Sequence, residues 1–120
     1  MLAASIHLSS RTPYIYMDEE IEMVDPDYDS MADYVDVESI NAYQMLLDQG
    51  KSPEQAFKIT QAKSRDNSRT PMQWDASENA GFSTGTPWLK AGKSYKDINV
   101  ENEIDGPIFK FYKELIRLIL

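Results

Sequence analysis

The stretch SRDNSRTPMQW, residues 64–74, is the most informative part of this chain of 120 residues. Guanidinium and amide groups bind hydroxyls through directed hydrogen bonds, and an aromatic face packs on the apolar side of a pyranose ring. The residue types therefore suit recognition of a sugar. Spacing alone favours a structural alternative, in which a buried pair of an arginine and an aspartate fastens a long loop.

Two helices are predicted before this stretch. Apolar residues recur at roughly helical spacing over residues 37–47, and Gly50 is a natural terminator. A second helix begins at Ser52, which can cap the free amides, while Pro53 fits the first turn and Gln55 completes a capping box. This helix should end near residue 63.

The two ends of the chain are predicted to be regular structure. Residues 2–8 resemble the end of a short helix, and residues 12–17 form an aromatic and β-branched run that predicts a buried strand. Residues 107–119 predict a closing amphipathic helix, because their apolar side chains share one face. These side chains are Ile108, Phe111, Tyr112, Leu115, Ile116 and Ile119.

Between the second helix and the closing one, residues 64–95 form a long segment without a sustained period. It contains both tryptophans and five Pro or Gly residues. Compact domains seldom contain so long a loop without a purpose, so the segment is a functional candidate.

Composition excludes several functions. Twelve Lys and Arg against twenty Asp and Glu give a net charge of −8, which argues against binding to nucleic acid or to an anionic membrane. The absence of cysteine excludes disulfides and thiolate metal sites and is compatible with the cytoplasm, the predicted location. The first ten residues lack a basic region and are shorter than a membrane span, so no signal peptide is expected.

An acidic loop offers a calcium-binding alternative. Carboxylates occupy positions 1, 3, 5, 9 and 12 of a calcium-loop template. However, Ser30 stands where the template needs glycine, and the last ligand is an aspartate rather than the longer glutamate. A solvated acidic loop is therefore favoured over a metal site. The carboxylates belong to Asp25, Asp27, Asp29, Asp33 and Asp36.

Other catalytic chemistries find little support. Glu19, Glu20 and Glu38 could provide acid and base groups, but the sequence does not show whether any two converge. His7 is the only histidine, and no serine has a nucleophile-elbow setting, so a Ser-His-Asp hydrolase is excluded. No glycine loop that could cradle a phosphate is present, and no cofactor is expected.

Several motifs, in order and at sensible spacing, together resemble a known family. They are TPYIY at 12–16, EEI at 19–21, DVE at 36–38, RDNSRTPMQW at 65–74, NAGF at 79–82, GTPW at 85–88 and INV at 98–100. The chain resembles the oligo-1,6-glucosidase and trehalose-6-phosphate hydrolase group of α-amylase-like glycoside hydrolases over nearly its whole length. KSRDNSR at 63–69 and YVDVES at 34–39 are most similar to the trehalose-6-phosphate hydrolases of this group. Oligo-1,6-glucosidases and dextran glucosidases are close alternatives.

The resemblance implies a fold of the α/β class. The family has a (β/α)₈ barrel, and even a minimal barrel needs about 200 to 250 residues. Residues 1–120 are therefore expected to be the C-terminal segment of one catalytic barrel domain. That segment would comprise the last barrel strand at residues 12–17, a long excursion with helices, and the closing helix at residues 107–119.

The resemblance also implies a function and a set of site residues. Such enzymes use two carboxylates about 5 Å apart in a retaining mechanism. None of the family's three catalytic carboxylates matches a position here, so the chain alone is expected to be inactive. Arg69 resembles the arginine that holds hydroxyls of the sugar, and Glu38 resembles an acidic residue lining the same pocket. Arg65, Asp66 and Glu20 are expected to be structural supports.

The implied substrate is an α-glucoside or a disaccharide phosphate, with trehalose 6-phosphate hydrolysed to glucose and glucose 6-phosphate by the intact relative. A noncatalytic acidic interaction module is the alternative from another class. Exposed barrel surface would favour self-association.

Three positions depart from the family, which usually has glycine where this sequence has Arg11, Asp18 and Glu22. If these positions adopt positive φ, a side chain there adds strain, and a charge adds a desolvation cost.

Overall fold

The computed structural model describes Ala4 and residues 14–119, with side chains up to Leu118. The α-helices within this part of the chain are α1 (Val37–Asp48), α2 (Pro53–Gln61), α3 (Val100–Glu103) and α4 (Pro107–Ile119). Short 3₁₀ turns lie at Glu19–Ile21, Met31–Asp33, Arg65–Ser68, Glu78–Gly81 and Lys93–Lys96.

Helices α1 and α2 confirm the two helices predicted from the sequence, and they pack against each other. Asp36 begins α1, because its side chain accepts a hydrogen bond from the backbone N–H of Ser39. Ser52 and Gln55 form the complete capping box at the start of α2. Gly50 turns the chain between the helices with φ of +85°. Helix α2 ends at Gln61, two residues before the predicted end.

Helix α4 confirms the predicted closing helix and packs on the 3₁₀ turn Glu19–Ile21. Leu115 and Ile21 are buried, and the Tyr112 hydroxyl donates a hydrogen bond to Glu19 Oε2 at 3.1 Å. Only part of the apolar surface of α4 is covered, since Leu118 is 77% exposed.

The predicted barrel strand is not observed. Residues 14–16 have no regular structure, residues 12 and 13 lie outside the described part, and no strand occurs in residues 14–119. A parallel strand needs neighbouring strands to pair its N–H and C=O groups, and the described residues provide none. Of the predicted helix at residues 2–8, only Ala4 is described. The described residues are thus helices and loops rather than an α/β layer.

An aromatic cluster holds the acidic loop against α2. The rings of Tyr28 and Tyr34 meet edge to face with centroids 5.2 Å apart, and Tyr34 meets Phe57 at 6.4 Å. The side-chain amide of Gln61 donates to the carbonyl of Tyr28 at 2.8 Å. Edge-to-face pairs stabilise beyond their buried area, so the cluster fixes the loop that precedes α1.

Polar side chains make up much of the interior of the long segment. Gln73 and Asn99 are 0% and 1% exposed. Asn99 Nδ2 donates to the carbonyl of Tyr95 at 2.9 Å, and the carbonyl of Gln73 accepts from the N–H of Val100 at 2.9 Å. Directed bonds of this kind, rather than periodic structure, hold the segment in one conformation.

The molecule is flat and extended, with a radius of gyration of 17.1 Å and extents of 52 × 35 × 21 Å. A compact domain of this length would have a radius of about 14 Å. Its interior is correspondingly thin. Among the described residues, no helix is long and apolar enough to cross a membrane.

Candidate functional site

The turn Arg65–Ser68 is anchored to the start of α1 by side-chain hydrogen bonds. Ser64 accepts from the N–H of Asp66 at 3.2 Å, and its hydroxyl lies 2.9 Å from that of Ser39. Asp66 is fully buried, and its Oδ2 accepts from the N–H groups of Val35 and Asp36, each at 2.8 Å. Asp66 thus occupies the interior and ties two segments together rather than facing a ligand.

Arg65 and Glu38 form an exposed ion pair. Arg65 Nη1 lies 3.4 Å from Glu38 Oε2. The two side chains border a cavity of about 550 Å³ between α1 and α2, together with Asp36 and Lys63. An exposed pair at this distance stabilises the fold very little. The pair brings the guanidinium of Arg65 and the carboxylate of Glu38 together at the edge of the cavity.

Hydrogen bonds keep Asp36 ionised beside this pair. Burial acts to raise its pKa, but hydrogen bonds from Ser39 and from the N–H of Glu38, with the nearby charge of Arg65, lower it below the ordinary value of 3.8. The cavity edge therefore carries a persistent negative charge at neutral pH.

Arg69 is exposed, and within residues 14–119 its side chain makes no hydrogen bond or ion pair. It borders a separate cavity of about 180 Å³, whose walls include Met17, Phe82, Pro87 and Trp88. A guanidinium group has five N–H donors in a fixed geometry, and all of these donors remain available here. Within residues 14–119 these donors are therefore unused, unlike those of Arg65, which pairs with Glu38.

The residues selected from the sequence are not brought into one site. Glu38 and Arg65 share the cavity between α1 and α2, whereas Arg69 borders the smaller one. Glu20 borders a third cavity, largely apolar, against α4, and its buried Oε2 has no hydrogen-bond partner in the described part of the chain. Asp66 lies in the interior.

Asp18 is a titratable residue that sequence reasoning recognised only as a departure from glycine. Burial, and then the charge of Glu20, raises its pKa from 3.8 to about 6. Its φ is 89° and that of Glu22 is 54°, so both positions have the positive φ that was considered for them. Arg11 lies outside the described residues. The sequence signal for Asp18 was a charged residue at a position where the resembled family usually has glycine.

The aromatic residues Phe82 and Trp88 were also missed as candidates. They are 50% and 76% exposed beside Arg69. Their motifs, NAGF and GTPW, served only to establish the resemblance. The available signal was an aromatic residue within a turn-rich loop, where no hydrophobic period requires one.

The calcium-binding alternative is wrong for the described residues. Lys93 Nζ lies 2.6 Å from Asp29 Oδ1 and 3.8 Å from Asp27 Oδ2, and its hydrogen bond with Asp29 raises the lysine pKa. Lys90 pairs with Asp33. Lysines therefore compensate these carboxylates, and in residues 14–119 no three acidic, His or Cys side chains converge as metal ligands.

Comparison with known proteins defines the class. The family "Alpha amylase, catalytic domain" matches residues 1–119. The chain therefore belongs to the α-amylase family of glycoside hydrolases. It is 46% identical over 120 residues to the trehalose-6-phosphate hydrolase of Bacillus subtilis (strain 168), covering 98% of this chain and 21% of the relative.

Two further comparisons point to the same family. The oligo-1,6-glucosidase of Parageobacillus thermoglucosidasius is 46% identical over 121 residues, covering 98% of this chain and 22% of that protein. The crystal structure of Bacillus licheniformis trehalose-6-phosphate hydrolase superposes with a TM-score of 0.88 at 48% identity, covering 98% of this chain and 22% of that one. The chain thus spans about a fifth of the length of these relatives, and its fold is that of the matching part of a barrel enzyme.

Proposed function

We propose that this chain provides part of the sugar-binding shell of a retaining α-glucosidase that acts on trehalose 6-phosphate. The observation that supports the proposal is the contrast between neighbouring side chains. Arg65 is paired and Asp66 is buried and hydrogen-bonded, whereas Arg69 has no partner among residues 14–119. The similarity to two trehalose-6-phosphate hydrolases, at 46% and 48% identity, indicates the substrate class.

In this proposal Arg69 donates hydrogen bonds to hydroxyls of the glucose ring. Bonds from a charged donor are stronger than neutral ones, and they hold the ring in a reactive geometry. Glu38 accepts a hydrogen bond from a hydroxyl of the second sugar, and Arg65 keeps its carboxylate in position. Since the two cavities are separate, a disaccharide would have to extend from one towards the other.

Alone, the chain is proposed to be inactive. A retaining glycosidase needs two carboxyl groups about 5 Å apart that both face the substrate. Asp18 and Glu20 influence each other electrostatically, but Glu20 borders the cavity under α4 and Asp18 borders another one. The carboxylates of the reaction would then belong to the four-fifths of its relatives that this chain does not match.

The test combines activity and binding. Purified chain is incubated with trehalose 6-phosphate, and ligand-induced stabilisation is recorded for the parent, Arg69→Ala and Arg65→Ala. We expect no turnover. We expect trehalose 6-phosphate to stabilise the parent chain, to stabilise Arg65→Ala nearly as much, and to have no such effect on Arg69→Ala. Removing a charged hydrogen bond costs about 1.5–3 kcal/mol, or about tenfold or more in affinity. Stabilisation unaffected by Arg69→Ala would refute the role of Arg69, and turnover would refute the inactivity.

An oligo-1,6-glucosidase is the second candidate, because the relative of that name is also 46% identical. Isomaltose, which carries no phosphate, separates the two. Stabilisation by isomaltose that equals or exceeds stabilisation by trehalose 6-phosphate would support the oligo-1,6-glucosidase. A chain that neither sugar stabilises would instead fit a noncatalytic interaction module.

We further propose a cytoplasmic location and self-association through the uncovered face of α4. The absence of cysteine is compatible with a cytoplasmic location. Fractionation of the source cells tests the location. The face includes Phe111, 40% exposed, and Leu118, 77% exposed, so association would remove apolar area from water.

A further inference from the structure

The turn on which α4 packs is strongly acidic. Residues 18–20 are all acidic, and they precede Ile21, which is buried together with Leu115 of α4. Glu19 Oε2 accepts a hydrogen bond from the Tyr112 hydroxyl of α4 at 3.1 Å. The docking of α4 therefore depends on a turn whose charge changes with pH.

The fold of this turn buries part of the Asp18 side chain. The carbonyl of Asp18 accepts from the N–H of Ile21 at 3.2 Å and from the N–H of Met23 at 3.3 Å. The φ values of Asp18 and Glu22 are 89° and 54°, so the turn is strained at both of its ends. A short, strained turn depends on packing for its stability, and α4 supplies such packing.

Two carboxyl oxygens of the turn are buried without a donor. Asp18 Oδ1 and Glu20 Oε2 have no hydrogen-bond partner among the described residues. An unpaired carboxylate is costly to bury, and protonation removes its charge. Burial, and then the charge of Glu20, raises the pKa of Asp18 from 3.8 to about 6. When the turn opens, water solvates the carboxyl and its pKa returns towards 3.8.

The other titratable groups near the turn lie on two sides of it. Within residues 14–119, neither Lys63 nor Lys113 forms an ion pair with Asp18 or Glu20. The cavity of about 390 Å³ that Asp18 borders is also bordered by Tyr16, Glu19, Glu22, Asp25 and Lys63. The cavity that Glu20 borders under α4 is also bordered by Asp105, Tyr112 and Lys113.

We propose that the turn at residues 18–22 is a pH-sensitive latch, in which protonation of Asp18 strengthens the docking of α4 and its ionisation weakens it. The closed turn binds this proton more tightly than the open turn, so acid favours the closed form. The effect is complete below pH 3.8 and is lost as pH rises through about 6. Burial, and then the hydrogen bond to Glu19, raises the pKa of Tyr112 above its ordinary value of 10.0, so its hydroxyl remains a donor throughout this range.

Hydrogen exchange measured by NMR tests the latch one helix at a time. Protection factors are used, because they divide out the pH dependence of the exchange chemistry itself. We expect protection of the amides of α4 to fall by up to about tenfold between about pH 5 and pH 7.5. Helix α2, which packs against α1, is the internal control and should keep its protection over the same range.

Three variants assign the effect to the turn. Asp18→Asn keeps the size of the side chain but removes its titration, so protection of α4 should no longer change with pH. Glu20→Gln should move the midpoint of the change to lower pH, because the charge of Glu20 contributes to the raised pKa of Asp18. Glu22→Gln, which also removes a carboxylate from the turn, is the matched control and should behave as the parent does.

The remaining outcomes would overturn the latch. Protection of α4 that is constant with pH in the parent would do so, and so would an equal change in α2, which would indicate a general effect of pH on the chain. A pH dependence that persists in Asp18→Asn would assign the titration to another group. If circular dichroism shows that Asp18→Asn is unfolded, Glu20→Gln decides instead, and a midpoint equal to that of the parent would overturn the proposal.

Discussion

Asp18 combines an unfavourable backbone conformation with an unfavourable ionisation. Its φ of 89° favours glycine, and its carboxyl is partly buried near Glu20 with Oδ1 lacking a partner in the described part of the chain. We expect Asp18→Gly to stabilise the chain at pH 7.5 by about 1–3 kcal/mol, the usual cost of such backbone strain. Urea unfolding measures the difference, and a loss of stability would show that the side chain makes a necessary contact.

The pH dependence of the unfolding free energy separates the backbone strain at Asp18 from the effect of its raised pKa. The pKa of Asp18 is raised from 3.8 to about 6 in the folded state. Protonation of Asp18 therefore adds to the unfolding free energy; this contribution is complete below pH 3.8 and is lost as pH rises through 6. Asp18→Asn keeps the backbone strain but removes the titration. We expect the difference in unfolding free energy between parent and Asp18→Asn to change between pH 4.5 and 7, in favour of the parent at the lower pH. A constant difference would contradict the raised pKa.

Gly81 is required by the left-handed turn that positions Phe82. Its φ is +66°, and an added Cβ would lie 2.5 Å from Asp75 Oδ2. We expect Gly81→Ala to destabilise the chain by more than about 1–2 kcal/mol, since the unfavourable φ and the displacement of Asp75 add together. Gly85→Ala is the matched control, because its Cβ would meet only Ser83 Oγ at 3.7 Å. Thermal unfolding of both variants tests this, and equal midpoints would contradict it.

At the scale of elements, the capping box of α2 gives a local prediction. Ser52 Oγ accepts from the N–H of Gln55 at 3.2 Å, and the Gln55 side chain accepts from the N–H of Ser52 at 3.4 Å. Ser52→Ala is expected to lower the unfolding free energy by about 1 kcal/mol, while Ser52→Thr, which keeps the hydroxyl, should cost less. Chemical denaturation followed by circular dichroism measures both. Equal losses would mean that the hydroxyl does not act as a cap.

Elements with local signals could be predicted from the sequence, and those that depend on distant partners could not. Ser52, Gly50 and the apolar face of residues 107–119 signal α2, the preceding turn and α4 within a few residues. The aromatic run at residues 14–16 forms no strand, because pairing depends on other strands and not on composition. A segment with strand propensity therefore forms a strand only where neighbouring strands can pair with it.

The same distinction applies to the site. The string at residues 64–74 contains two arginines with nothing local to separate their roles. Arg65 is paired only because Glu38, 27 residues away, approaches it, and Arg69 is free because no acidic side chain in residues 14–119 does. The cavity beside Arg69 depends on the approach of residues 82–88 to this arginine, which spacing does not predict.

At the scale of the whole molecule, the apolar surface of α4 predicts concentration-dependent association. Leu118 is 77% exposed beside Arg117, which pairs with Glu114 on the same helix. Leu118→Glu is expected to shift sedimentation profiles towards the monomer, because it places a charge in the contact. Lys110→Glu, which changes the charge on an exposed part of α4, is the control. A parent chain that remains monomeric at all concentrations would contradict the association.

The polar interior described above determines how the molecule responds to temperature. Unfolding would expose the side chains of Asp66, Gln73 and Asn99 together with a thin apolar core. Hydration of polar surface lowers the heat capacity of unfolding, whereas hydration of apolar surface raises it. Calorimetry should therefore give less than about 12–15 cal/mol/K per residue. A small heat-capacity change flattens the curve of unfolding free energy against temperature. Cooling would therefore lower the unfolding free energy of this chain less than that of a protein with a predominantly apolar interior.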